Sequence, residues 1–149
     1  MTATLRPARA ADADAIVSLG VESVSRDPLP VTIDKRAMRE TFLSLVGRPN
    51  QFAWVAEDDG VVVAGVVACS QPIFWARGHQ VSVLLFYTRA PGAGLPLIRQ
   101  LVAWIKGRPV IKLAVFELEP GADPRILTAL RRMGFTRESA NLTYVRGAT

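Results

Sequence analysis

The sequence predicts an α/β fold, and three observations predict it. Hydrophobic spacing switches repeatedly between a period of two and a period near 3.6, in the order β-α-α-β-β-β-α-β-α-β. Asp59-Gly60 stands between two apolar runs, "FAWVAE" and "VVVAGVVACSQ", as a tight hairpin between antiparallel strands requires. Residues 79–87 are nearly continuously apolar, as expected of a strand covered on both faces in the middle of a sheet.

Each element has its own warrant. "TLRPA" reads as a short first strand. Asp12 is a candidate N-cap, and Ile16, Leu19 and Gly20 recur at helical spacing behind it, so a first helix is expected to run to about Val24. "DPLP" breaks the chain. Asp34 opens a second helix with Met38, Phe42 and Leu45 on one face, closed by Gly47 and Pro49. The hairpin strands and the central strand follow. Leu97, Ile98, Leu101, Val102 and Ile105 then form an apolar helical stripe ending at Gly107 and Pro109. "VIKLAVFE" is a further strand, and Asp123-Pro124 starts a helix with Ile126, Leu127, Leu130 and Met133 facing inward. "GF" followed by "NLTYVR" is expected to supply a last strand.

A chain of 149 residues, half of them hydrophobic, fits one domain spanning 1–149. Cys69 has no intrachain partner, which excludes an internal disulfide framework and points to a reducing, cytoplasmic setting. The N-terminus carries Arg6, Arg9, Asp12 and Asp14 among short apolar pieces, unlike a signal peptide. The most apolar run, "GVVVAGVVAC", is about half the length of a membrane-spanning helix, so a soluble protein is expected. The formal charge of +5 is carried almost wholly by scattered arginines, an anion-attracting surface without the dense basic arm or aromatic platform of a nucleic-acid binder.

Residues 88–98, "TRAPGAGLPLI", sit where the buried strand hands over to a helix. Such a helix start leaves backbone N–H groups without partners at the positive end of the helix dipole. Gly92 and Gly94 lack a Cβ, so another molecule can approach the backbone, and Pro96 lies in the first turn, where its missing N–H costs little. The stretch is a cradle for an anion such as a diphosphate, with Arg89 able to add charge; it also reads as a sharp turn that holds nothing. A Walker loop needs Gly-Lys-Ser/Thr, whereas Leu95 and Pro96 follow Gly94. A dinucleotide fingerprint needs a glycine where Leu97 stands.

The pattern Arg89-Ala90-Pro91-Gly92-Ala93-Gly94 resembles the acyl-CoA-binding motif Arg/Gln-x-x-Gly-x-Gly/Ala of the GNAT superfamily of N-acyltransferases. "LRPARAADADAIVSL" is similar to that family's first strand and helix, and "LTALRRMGF" to its helix ending in Gly-Phe. The resemblance implies a mixed, mostly antiparallel sheet flanked by about four helices, with a splayed central strand pair. It implies acetyl-CoA or another acyl-CoA as co-substrate, no metal, and transfer to a small-molecule or peptide amine. Backbone amides of residues 89–94 would hold the CoA diphosphate, and Leu84, Leu85 and Phe86 would pair with the pantetheine arm. A backbone N–H in the cleft would polarise the thioester carbonyl.

A lysine-like amine is neutral at pH 7 only on the order of once in a thousand molecules, so a base is useful. Glu117, Glu119, His79 and Glu57 are candidates. The family tyrosine that protonates the leaving thiolate corresponds to Leu130 here, and a common asparagine, a pantetheine contact, to Asp123. Tyr87, ending the central strand, is the substitute proton donor. These departures keep open a second expectation, a GNAT-like domain that binds CoA or protein partners without turnover. Phe74, Trp75 and Arg77 fit either an acceptor pocket or an interface, a homodimer included.

Overall fold

The computed structural model describes residues 3–119 and 121–147. In chain order they form β1 (Thr4–Pro7), a 3-10 turn (Ala10–Asp12), α1 (Ala13–Ser25), α2 (Lys35–Leu45), β2 (Phe52–Asp58), β3 (Val61–Pro72), β4 (His79–Thr88), α3 (Gly94–Lys106), β5 (Ile111–Val115) and α4 (Pro124–Arg132). The sheet runs β1-β2-β3-β4-β5. Its first three pairings are antiparallel and β4–β5 is parallel, so the mixed, mostly antiparallel α/β sheet matches expectation.

Local chemistry places these elements. Asp59 and Gly60 both have positive φ, 51° and 76°, the geometry of a tight hairpin turn that matches strand twist. The Asp34 carboxylate accepts from the Ala37 amide at 3.0 Å and caps α2, and Asp123 caps α4 through the Arg125 amide at 2.9 Å. On one face of the sheet, Ala13, Ile16 and Leu19 of α1 and Phe42 of α2 cover Val55 and Val67. Gly65 of β3 lets α1 sit close, because a Cβ there would lie 3.0 Å from Ile16 Cδ1. Gly20 does the same for α2, receiving Met38 where a Cβ would stand. On the other face, Leu97 and Leu101 of α3 seal Ala64, Val66, Ala68 and Val81, and α4 packs beside α3 through Leu130, Ile98 and Val102. Burying a leucine or isoleucine side chain this fully contributes about 1.5–3 kcal/mol.

One expected element is corrected. Residues 136–145, which include most of "NLTYVR", form no strand, and Leu142 and Tyr144 are exposed. An alternating segment becomes a strand only where a sheet edge pairs with it and an apolar face covers it, and neither meets this segment. Among the described residues no helix is long and apolar enough to cross a membrane.

Candidate active site

The central strand β4 has two unlike halves. Residues 79–82 pair with β3 on one side and with β5 on the other, from His79↔Ile111 to Ser82↔Val115. Beyond Ser82, β5 ends and the described pairing with β4 ends with it, so residues 83–88 keep β3 and present an open edge on the β5 side. The register with β3 also slips here: Val67 faces Leu85 while Ala68 faces Val83, leaving Leu84 as a bulge. The slip resets the alternation, so Val81, Val83 and Phe86 face α3 whereas Leu85 and Tyr87 face α1 and α2. Past β5, Phe116 and Leu118 turn toward α3 and α4. The Phe86 and Phe116 rings meet edge to face at 5.4 Å, and Phe116 meets Phe135 at 6.5 Å. The strands thus splay as the family resemblance implies.

A cavity of about 460 Å³ occupies the splay. Leu84, Leu85, Phe86, Tyr87, Glu117, Glu119 and Asp123 line it, joined by Ser23, Arg26 and Asp27 from the end of α1. Seven sequence candidates therefore meet at one place. His79 does not: at a rise of about 3.3 Å per residue it lies roughly 16 Å from Leu84 along the strand, and its Nδ1 faces Ser70 Oγ at 2.9 Å. Glu57 lies outside too, held by Arg6 at 3.2 Å in a cluster where Arg6 also grips Asp12 with two bonds of 2.8 Å. Phe74 and Trp75 stand exposed on the loop between β3 and β4.

The chain leaves β4 through residues 89–93, and the hydrogen bonds there narrow the expected set of amides. Arg89 N donates to Val63 O at 2.8 Å, and Ala90 N to Thr88 Oγ1 at 3.1 Å. Ala93 N donates to Ala90 O at 3.3 Å, and Pro91 has no N–H. No described bond uses the amides of Gly92, Gly94 or Leu95, so the open donors sit at the helix entry rather than evenly over 89–94. The two glycines serve different ends. Gly92 has φ +86° and open space where a Cβ would project. Gly94 is buried, and a Cβ there would lie 3.0 Å from Phe86 Cζ, so its absence lets α3 close on β4 instead of admitting a ligand.

Arg89 is also engaged. Its Nε donates to the Glu22 carboxylate at 2.9 and 3.0 Å, and Nη2 to Ser18 Oγ at 2.9 Å. The Arg89 guanidinium, with smaller contributions from Tyr87 and Arg26, holds the Glu22 carboxyl below the usual carboxylate range. Arg26 stacks over the Tyr87 ring at 4.6 Å. Asp123, beside the Arg125 guanidinium, is likewise held below its ordinary value. Sequence reasoning missed Ser18, Glu22, Arg26 and the Leu84 bulge. The polar α1 residues were visible as a stripe four residues apart opposite Ile16 and Gly20, but nothing in the sequence named the strand they touch.

No family model matches this chain, and no curated protein matches it. Solved structures do. It superposes on a possible acetyltransferase from Clostridium difficile 630 with a TM-score of 0.72 over 100% of both chains at 14% identity. A predicted acetyltransferase with acetyl-CoA from Clostridium acetobutylicum gives 0.73 at 17% identity, covering 97% of this chain and 96% of that one. Glucosamine-6-phosphate N-acetyltransferase from Arabidopsis thaliana gives 0.72 at 11%, covering 98% and 99%. These neighbours share the chain's fold over nearly its whole length, a mixed sheet flanked by helices. The chain has the GNAT fold.

Proposed function

We propose that this chain is a single-domain, cytoplasmic N-acyltransferase that moves an acetyl or other short acyl group from acyl-CoA directly to a primary amine on a small molecule or peptide. The observation that carries the reading is the half-open β4: an unpaired strand edge leads from a backbone bulge to a loop whose free amides sit at a helix N-terminus. The residues fit acyl-CoA. The amides of Gly92, Gly94 and Leu95 suit the diphosphate, and the edge formed by Leu84, Leu85 and Phe86 suits the amides of the pantetheine arm by strand addition. Asp123 borders the same wall.

In this reading, backbone N–H groups near the Leu84 bulge stabilise negative charge on the thioester oxygen. Glu117, on the cleft wall, takes the proton from the ammonium of the acceptor, directly or through water. The amine nitrogen then bonds to the thioester carbon, the carbon–sulfur bond breaks, the Tyr87 hydroxyl gives its proton to the departing thiolate, and the second proton that the nitrogen sheds on becoming an amide returns through water to the tyrosinate. His79 takes no part. The glucosamine-6-phosphate enzyme among the structural neighbours supports an amine acceptor of small-molecule size.

A second reading is favoured by one observation. Leu130 occupies the position of the family tyrosine and is buried between α3 and α4, which fits a domain that binds acyl-CoA without turning it over. Calorimetry with acetyl-CoA and longer acyl-CoAs, followed by an amine screen for released thiol, decides. Binding with thiol release supports the enzyme. Binding without release supports the second reading, and no binding overturns both. Tyr87→Phe is expected to lower kcat roughly 10²-fold with little change in KM, measured by thiol release.

A further inference from the structure

Ser18, Glu22 and Arg26 are spaced four residues apart and form one stripe along α1. Tyr87 and Arg89 are two apart and share one face at the exit of β4. The two periods meet: Ser18 and Glu22 hold Arg89, and Arg26 covers Tyr87. Thr88, between them, faces the other way and bonds Ala90 on both its N–H and its carbonyl.

Resting on the acyl-transfer reading above, we propose that Glu22 and Arg89 are positioning residues, whose ion pair pulls the Arg89 guanidinium onto the α1 face and fixes both the Tyr87 hydroxyl and the loop amides for transfer. The Arg89 side chain is then not itself a ligand of the diphosphate. Both partners are substantially solvent-exposed, at 34% and 41% for their side chains, and so exposed a pair adds little to stability. Its work is directional, and a small misplacement at a reacting centre can cost up to about 10²-fold in rate.

Glu22→Gln, Arg89→Gln and the double variant test this. Each single variant is expected to keep the thermal midpoint of the parent, to change the acetyl-CoA Kd less than about threefold, and to lower kcat about tenfold. The double variant should be no slower than either single one, because both remove the same contact. A roughly tenfold weaker Kd in Arg89→Gln, with Glu22→Gln unaffected, would overturn the proposal by making the guanidinium a diphosphate ligand, and additive losses in kcat would overturn it as well. A separate arm needs no ligand: hydrogen exchange at the bonded amides of Arg89, Ala90 and Ala93 should quicken in Glu22→Gln, and unchanged exchange overturns the positioning role. If the parent binds no acetyl-CoA, the acyl-transfer reading fails while this arm still judges the contact.

Discussion

The two halves of β4 differ in both residues and neighbours: the half paired on both sides, residues 79–82, reads HQVS, and the half with an open edge, residues 83–88, reads VLLFYT. In the first half Val81 is fully buried, with β3 and β5 on its flanks and Leu97 and Leu101 of α3 above it. In the second half the same strand loses β5, gains a bulge, and exposes Leu84 at 52%. The open half is the more apolar of the two, so apolar composition does not create the difference. Where a neighbour stops does: β5 ends at Val115, and the Phe116 ring and the Leu118 side chain then turn toward α3 and α4. A strand edge without a partner is satisfied by water or by another chain of donors and acceptors, and under the proposed function the amides of a pantetheine arm would supply them.

The largest expected effect lies beneath the closed half. Leu101→Ala should cost about 2–5 kcal/mol of stability by leaving a cavity under Val81, read as a lower urea midpoint. If the halves are independent, the remaining folded protein binds acetyl-CoA with an unchanged Kd; a weakened Kd would show that the closed half also sets the cleft. Next come the two glycines of the open half. Gly92→Val places a β-branched residue at φ +86°, a strain of about 1–3 kcal/mol, and should weaken acetyl-CoA at least tenfold by calorimetry. Gly94→Val should lose more stability, because its Cβ meets the Phe86 ring, and should move α3 as well as the loop. Equal Kd for the parent and a folded Gly92→Val would break the assignment of the open half as the ligand-holding one.

How much of this was legible beforehand follows from which forces are local. The hairpin and the caps of α2 and α4 were readable because Asp59-Gly60, Asp34 and Asp123-Pro124 act through their own backbone, whereas Asp12 makes no side-chain cap bond to α1, and β4 lies inside the sheet but is buried only at Val81, with Leu84 exposed. The glycine loop was readable as a helix entry. Its division of labour was not: Gly92 and Gly94 look alike in sequence, and only the Phe86 ring distinguishes them. Arg89 was read as spare charge, since a pairing with Glu22 across 67 positions leaves no local mark. The opposite error came at residues 141–146, where a strand-like alternation met no edge to pair with.

A smaller effect concerns neither half directly and serves as the control. Asp12, bound by Arg6 and by the Arg9 amide at 2.7 Å, has a carboxyl held below its ordinary value, first by the Arg6 hydrogen bonds. A group whose folded pKa is depressed stabilises the fold above its unfolded value near 4 and loses that contribution as pH falls through the folded value. Asp12→Asn should therefore flatten the acid limb of stability below about pH 4, measured by urea unfolding across pH 2–7, and leave the acetyl-CoA Kd at pH 7 unchanged. The Arg6 cluster joins β1, the turn before α1 and β2 at the far side of the sheet from the cleft. A Kd that moves with Asp12 would mean that the closed part of the sheet transmits strain to the open edge, and the comparison between the halves of β4 would have to be redrawn as one between coupled parts.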